Sequence, residues 1–179
     1  KRIKPPVGAQ INWGHPLAQG LVACFPFNEG GGVARNLADQ QFGSFPDGPG
    51  AWAVDSRGPS LAFQGSFGDD FSFNITNPQS VATVTLASRF TLTALDLWRP
   101  ILISHVGESW KGLLTSGVAG NPFTFVWDNA GNEYNAATGL ALSLNVPYTG
   151  IAALTGSSAD LYLASPTGVS TYSDANSNA

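Results

Sequence analysis

The sequence predicts an all-β protein: a two-sheet antiparallel β-sandwich of the jelly-roll kind, entered through an extended N-terminal arm. Three observations lead there. Short runs alternate apolar with polar residues, turn chemistry rich in Gly, Pro, Asn and Asp separates them, and no stretch keeps the 3.6-residue period of an amphipathic helix. Charged residues make up only 11% of the 179, less than half the usual ~25%. With 21 glycines and 12 prolines the composition suits a folded chain with many turns. A single domain of this length buries about 70% of its unfolded surface, enough for a core without staples.

Residues 1–19 are expected as the arm and residues 20–179 as the jelly-roll domain. Pro5, Pro6 and Pro16 oppose a helix in the arm and push the residues before them to extended conformations. "GLVACFPFNEGGG" (20–32) reads as a first strand ended by a glycine bend. Residues 43–60 read as a long loop. "DFSFNIT" (70–76) alternates through Phe71, Phe73 and Ile75. "FTLTALDLW" (90–98) alternates and then changes phase, the sign of a β-bulge. "ILISHV" (101–106), "FTFVWD" (123–128), "LALSLNV" (140–146) and "ADLYLA" (159–164) add further strands, with Leu140, Leu142, Leu144 and Val146 on one face of the third. "SRGP", "TNPQS", "DNAGNE" and "SPTG" are turns, for a total of about twelve short strands.

Charge narrows the function classes. Lys1, Arg2 and Lys4 leave five cations against twelve carboxylates on the rest of the chain. An acidic body of this kind repels nucleic-acid phosphates, so nucleic acid is not an expected partner. The basic arm, with Lys1, Arg2, Lys4 and Trp13, is instead a candidate for docking on a partner protein. No run reaches the ~18 apolar residues of a membrane span. Cys24, the single cysteine, lies in an apolar run and reads as a buried structural thiol.

Catalytic signatures do not assemble in the linear sequence. The triple glycine Gly30–Gly32 is followed by Val33, Ala34 and Arg35, without the Lys and Ser/Thr that a phosphate loop needs. Glu29, Glu108 and Glu133 are far apart, so no strand carries the alternating carboxylates of a glucanase. His15 and His105 have no nucleophile in frame. Asp69, Asp70 and the "DNAGNE" turn offer oxygens of the kind Ca²⁺ takes, without the spacing of a dedicated calcium loop, and no cofactor is expected. Trp52 and Trp110 lie among Gly and Ser and could serve as stacking platforms for sugar rings. Asp128 and Asn129 are the polar residues of such a candidate site.

The stretch Ile11–Gln40 carries a resemblance. Trp13, His15-Pro16-Leu17-Ala18, Gly20-Leu21-Val22, Phe27-Asn28-Glu29-Gly30 and Asn36-Leu37 resemble the opening of laminin-G-like jelly rolls of the concanavalin A-like lectin/glucanase superfamily, of the kind found in tailed-phage virion proteins. Leu61, Phe63, Gly65 and Asp70 look like that family's second hairpin, and residues 150–170 like a later one, with Leu154-Thr155-Gly156 where the family carries Tyr-Asp-Gly. The family's closing strands have no counterpart before Ala179, so the sandwich is expected to be short of them. The resemblance implies a binding or structural module. Its first reading is a non-enzymatic structural protein of a tailed-phage virion, appended to capsid, neck or tail. Capsid or tail proteins would be its partners, and other copies would form a homo-oligomer or symmetric array. The alternative is a carbohydrate-binding module for attachment to surface glycans.

Overall fold

A computed structural model describes residues 4–43, 51–55, 57–63, 71–72, 84–93, 99–106, 109–115, 122–128, 133–155 and 158–175. The chain is all-β: every sheet is antiparallel, and the described residues hold no α-helix, only one 3₁₀ turn at Pro16–Ala18. Two compact units divide it, Lys1–Pro78 and Gln79–Ala179.

In the first unit the strands are short. β1 (Ala34–Arg35) pairs with β2 (Phe42–Gly43), and β3 (Ala51–Asp55) pairs with β4 (Gly58–Ala62). The β3–β4 hairpin replaces the loop expected over 43–60. Its turn is fixed by Asp55, whose Oδ1 accepts from the Arg57 backbone N–H at 2.7 Å while Oδ2 lies 3.6 Å from the Arg57 guanidinium. The first strand expected over 20–28 does not form: residues 21–28 are irregular rather than strand. Pro26 lacks a donor, and a buried asparagine supplies the hydrogen bonds that a neighbouring strand would have given. Asn36, 1% exposed, accepts from Cys24 N–H (2.8 Å) and Ala38 N–H (3.0 Å) and donates to the Val22 carbonyl (3.4 Å). Backbone N–H of Leu37 closes the arrangement on the Cys24 carbonyl at 2.9 Å. The glycine bend is present, with Gly30 and Gly32 at φ 74° and 69°.

The segment expected as an extended arm is a string of turns over its described residues. Ala9 bonds back to Pro6 and His15 to Asn12, and the His15 Nδ1 caps the 3₁₀ turn by accepting from Leu17 N–H at 3.2 Å. Phe25, Phe27 and Phe71 form the unit's aromatic cluster, Phe71 meeting the other two edge-on at 5.2 and 5.3 Å between centroids. Ala18 and Ala34 are buried in the same unit.

The second unit is made of longer strands. β5 (Val84–Thr91), β10 (Pro147–Thr155), β11 (Ser158–Ser165) and β12 (Gly168–Ala175) form one four-stranded sheet in the order β12-β11-β10-β5. β6 (Arg99–Val106), β7 (Ser109–Thr115), β8 (Pro122–Asp128) and β9 (Glu133–Ala141) form a meander. Alternation decides the first sheet's buried face. Tyr148, Gly150 and Ala152 of β10 are buried, as are Leu161 and Leu163 of β11, while Tyr162 between them is 41% exposed. Ala152 is paired with Leu161 on one side and Leu86 on the other, and Phe90 stacks on Tyr148 at 5.8 Å. Residues of β5 approach β6, those of β10 approach β7, and those of β12 approach β9.

Two sequence expectations fail in this unit. "LALSLNV" is not one strand: β9 stops at Ala141 and Leu142–Val146 turns into β10. Asn145 takes a left-handed φ of 60°, Ser143 N–H bonds the Tyr148 hydroxyl (2.9 Å), and Asn145 N–H bonds the Leu92 carbonyl (2.8 Å). Leu142 is thus buried and Leu144 43% exposed, where one shared face was expected. Among the described residues of this unit the register shifts at Pro100/Leu102 and Pro122/Thr124, and the expected bulge of residues 94–98 falls outside the described residues. "ILISHV", "FTFVWD" and "ADLYLA" all lie in strands, and the "SPTG" turn joins β11 to β12.

Candidate functional site

The arm residues are placed first by Lys4. Its ammonium donates to the Phe27 carbonyl at 3.1 Å and to the Pro59 carbonyl, while Asn28 Nδ2 donates to the Pro5 carbonyl at 2.7 Å. Burial pushes the Lys4 pKa down; Asp55 opposes the shift, Arg57 adds to it, and Glu29 opposes it more weakly. Lys4 is therefore spent on its own unit, as a clip that ties the N-terminal segment to the loop after Phe27 and to β4. Lys1 and Arg2 lie outside the described residues. Trp13 is 54% exposed.

Downstream of that clip the N-terminal segment and the β1–β2 region enclose a groove of about 360 Å³, at the small end of ligand pockets. Trp13, Phe42 and Val33 line it and are 54%, 61% and 56% exposed. Glu29 and Arg35 also line it. The Glu29 carboxylate is held from one side only: Oε1 accepts from the Arg35 backbone N–H at 3.0 Å, and Oε2 is buried with no hydrogen-bond partner among the described residues. A buried oxygen left without a donor costs about 1–3 kcal/mol. The sequence set Glu29 at a bend, far from the other glutamates. Its signal, a carboxylate just ahead of a glycine turn, has no meaning until the turn places it beside β1.

The four candidate sugar residues divide between the units. Trp52, on β3, is half-buried, and its indole N–H donates to the Gly32 carbonyl at 2.9 Å, pinning the hairpin to the glycine bend. That N–H is not free for a ligand. Trp110 and Asp128 are direct register partners on β7 and β8, and Asn129 lies outside the described residues. The register extends in both directions: His105 is opposite Trp110, and Glu133 opposite Asp128, making one transverse row across the meander. The "DNAGNE" hairpin thus brings two carboxylate positions five residues apart into a pair, which linear spacing hides.

Cys24 is half-buried, and burial pushes its thiol pKa up, opposite to the shift that a nucleophile needs. No group of three or more His, Cys, Asp or Glu suited to a metal occurs among the described residues. No helix of the described residues is long and apolar enough to cross a membrane. Comparison with family models, with curated proteins and with solved structures finds no match.

Proposed function

We propose that this chain is a non-enzymatic structural protein of a tailed-phage virion, appended to the capsid, neck or tail through a lectin-like β-sandwich. One observation carries the reading. The small first unit leaves Val7, Trp13, Leu17, Val22, Val33, Phe42 and Val54 between 51% and 85% exposed. Apolar side chains this exposed are what a surface that meets another protein presents, and they support the reading. In this reading the sheets β12-β11-β10-β5 and β6-β7-β8-β9 are the two leaves of a jelly roll, supported by the approach of β5 to β6, β10 to β7 and β12 to β9. Capsid or tail proteins are the partners, and the copies form a symmetric array. Quantitative mass spectrometry of purified particles tests it. Recovery of the chain in a fixed ratio to the major capsid protein is expected; its absence overturns the reading.

A second reading, attachment to surface glycans, has its own observation: Trp110 is in register with Asp128, in a row that also holds His105 and Glu133. An aromatic beside polar residues is what a sugar ring needs. A glycan array that gives binding lost in Trp110→Ala supports it. Hydrolysis of a β-glucan panel, lost in Glu133→Gln, would instead make the Asp128–Glu133 pair catalytic and end both readings.

A further inference from the structure

We infer that residues 4–20 are an exchangeable strap. In the assembled array the strap of one copy latches onto the body of a neighbouring copy, at the site it occupies on its own body in the structure. The inference rests on the reading of the chain as one of many copies in a particle and names how those copies are joined.

The occupant of the latch site is known, because the structure shows it. Lys4 Nζ donates to the carbonyls of Phe27 and Pro59, and Asn28 Nδ2 donates to the Pro5 carbonyl at 2.7 Å. Among the described residues these are the only hydrogen bonds from the strap to residues beyond Leu21. Ala9, Gly14, His15, Leu17, Ala18 and Gln19 all bond back within the strap itself. Burial adds little: Ala18 is buried, Lys4, Ala9 and Ile11 are half-buried, and the other thirteen of residues 4–20 are exposed. A segment that buries so little is held by its latch rather than by a core, so opening the latch frees all of it.

The other end of the strap is a hinge. Gln19 at φ −67° and ψ 126°, followed by Gly20 at φ 73°, makes residues 18–21 a type II turn, closed by Leu21 N–H on the Ala18 carbonyl at 3.2 Å. That turn sends the strap back onto its own body, and its third position favours glycine. Opened to an extended chain, the same hinge sends the strap outward with a reach of about 50 Å. The latch bonds can then re-form on another copy, unchanged in kind, which makes exchange of an identical element a low-cost route to assembly. On its own body the strap acts at an effective concentration of millimolar order. Exchange is therefore favoured where copies are crowded, as on a particle surface.

The test uses the full chain in light scattering and ¹H–¹⁵N NMR, from about 10 μM to about 2 mM, a range that brackets the effective concentration of the tethered strap. A chain without ¹⁵N carries a nitroxide on Val7→Cys, an exposed position, in a Cys24→Ala background. It is mixed with ¹⁵N chain that has no nitroxide. Association is expected at the upper concentrations, with broadened amide signals in the ¹⁵N chain at Asn28, Glu29 and Arg35, which line the same groove as Val7. Lys4→Met removes the latch and is expected to leave monomers with the dispersed spectrum of the fold. Gly20→Ala adds a Cβ that meets nothing within 4 Å, so it acts through φ alone. It penalises the folded-back turn and is expected to strengthen association about tenfold for each strap exchanged. Association unchanged in Lys4→Met, broadening confined to other residues, or monomers throughout in both the native chain and Gly20→Ala each overturns the exchange. The particle measurement above is separate. A chain that is recovered in virions but fails here loses the exchange and keeps its function; a chain that exchanges straps but is absent from virions does the reverse.

Discussion

The two units reach antiparallel β structure by different means. In Lys1–Pro78 the strands run two to five residues, and side chains bonded to the backbone join the rest: Asn36 to residues 22, 24 and 38, Lys4 to Phe27 and Pro59, Trp52 to Gly32. In Gln79–Ala179 the strands run seven to nine residues and their ladders supply the bonding. A ladder spreads its stability over many equivalent bonds. A loop tied by one side chain concentrates it. The N-terminal unit should thus be sensitive at single polar residues, and the C-terminal unit at its apolar face.

Four sets of substitutions sharpen or break that contrast. Leu161→Ala empties a fully buried site in β11, and should cost about 3–4 kcal/mol. Hydrogen exchange should speed up in β10, β11 and β12; an unchanged pattern would mean that this face is not the core. Asn36→Ala comes next. It strips the acceptor from Cys24 and Ala38 N–H and the donor from Val22, for a loss of about 2–4 kcal/mol. Exchange should rise over residues 22–41, and a loss below ~1 kcal/mol would show that the loop is held by something else. Third is Gly43→Ala, whose new Cβ would sit 1.9 Å from the Phe71 ring. The ring must move away from Phe25 and Phe27, at a cost of about 1–3 kcal/mol, measured by chemical denaturation.

The smallest effect is in the pH dependence, where two groups of the first unit oppose each other. Burial lowers the Lys4 pKa from its ordinary 10.5, so the folded chain gives up that proton before the unfolded chain does. Stability from this group therefore rises with pH between the lowered pKa and 10.5. Burial raises the Cys24 pKa from its ordinary 9.0, so here the unfolded chain loses its proton first, and stability falls as pH passes 9.0. Both groups are only partly buried, and solvent keeps both contributions small. Relative to the native chain, Lys4→Met should make stability fall more steeply above pH 9.0, and Cys24→Ala should make it fall less or rise. Parallel curves for all three proteins would remove both residues from the account.

The same contrast explains what could be read in advance. Period-two alternation is a local signal, and it located β6, β8 and β11 because each strand's own residues alternate. It also gave the all-β class and the turns at "SRGP" and "SPTG". It failed on "LALSLNV", where Asn145 and the Tyr148 hydroxyl set a turn that outweighs four alternating apolar residues. It failed on residues 20–28 for a related reason: the run is apolar enough for a strand, but its partner is one asparagine eight or more residues downstream. The candidate site was legible only in pieces. Trp13 was picked as part of the arm, yet the groove depends on Glu29 and Phe42, and nothing in the linear sequence joins those three. Trp110 and Asp128 were picked separately, and only the register makes them neighbours.

The claim that this chain is a virion component attached through its first unit meets its most direct test in cryo-electron microscopy of the intact particle. The chain is expected at repeating positions on the capsid, neck or tail, with Val7, Trp13 and Leu17 covered by a neighbouring subunit. Particles without the chain, or with it present and those three residues facing solvent, would contradict the account.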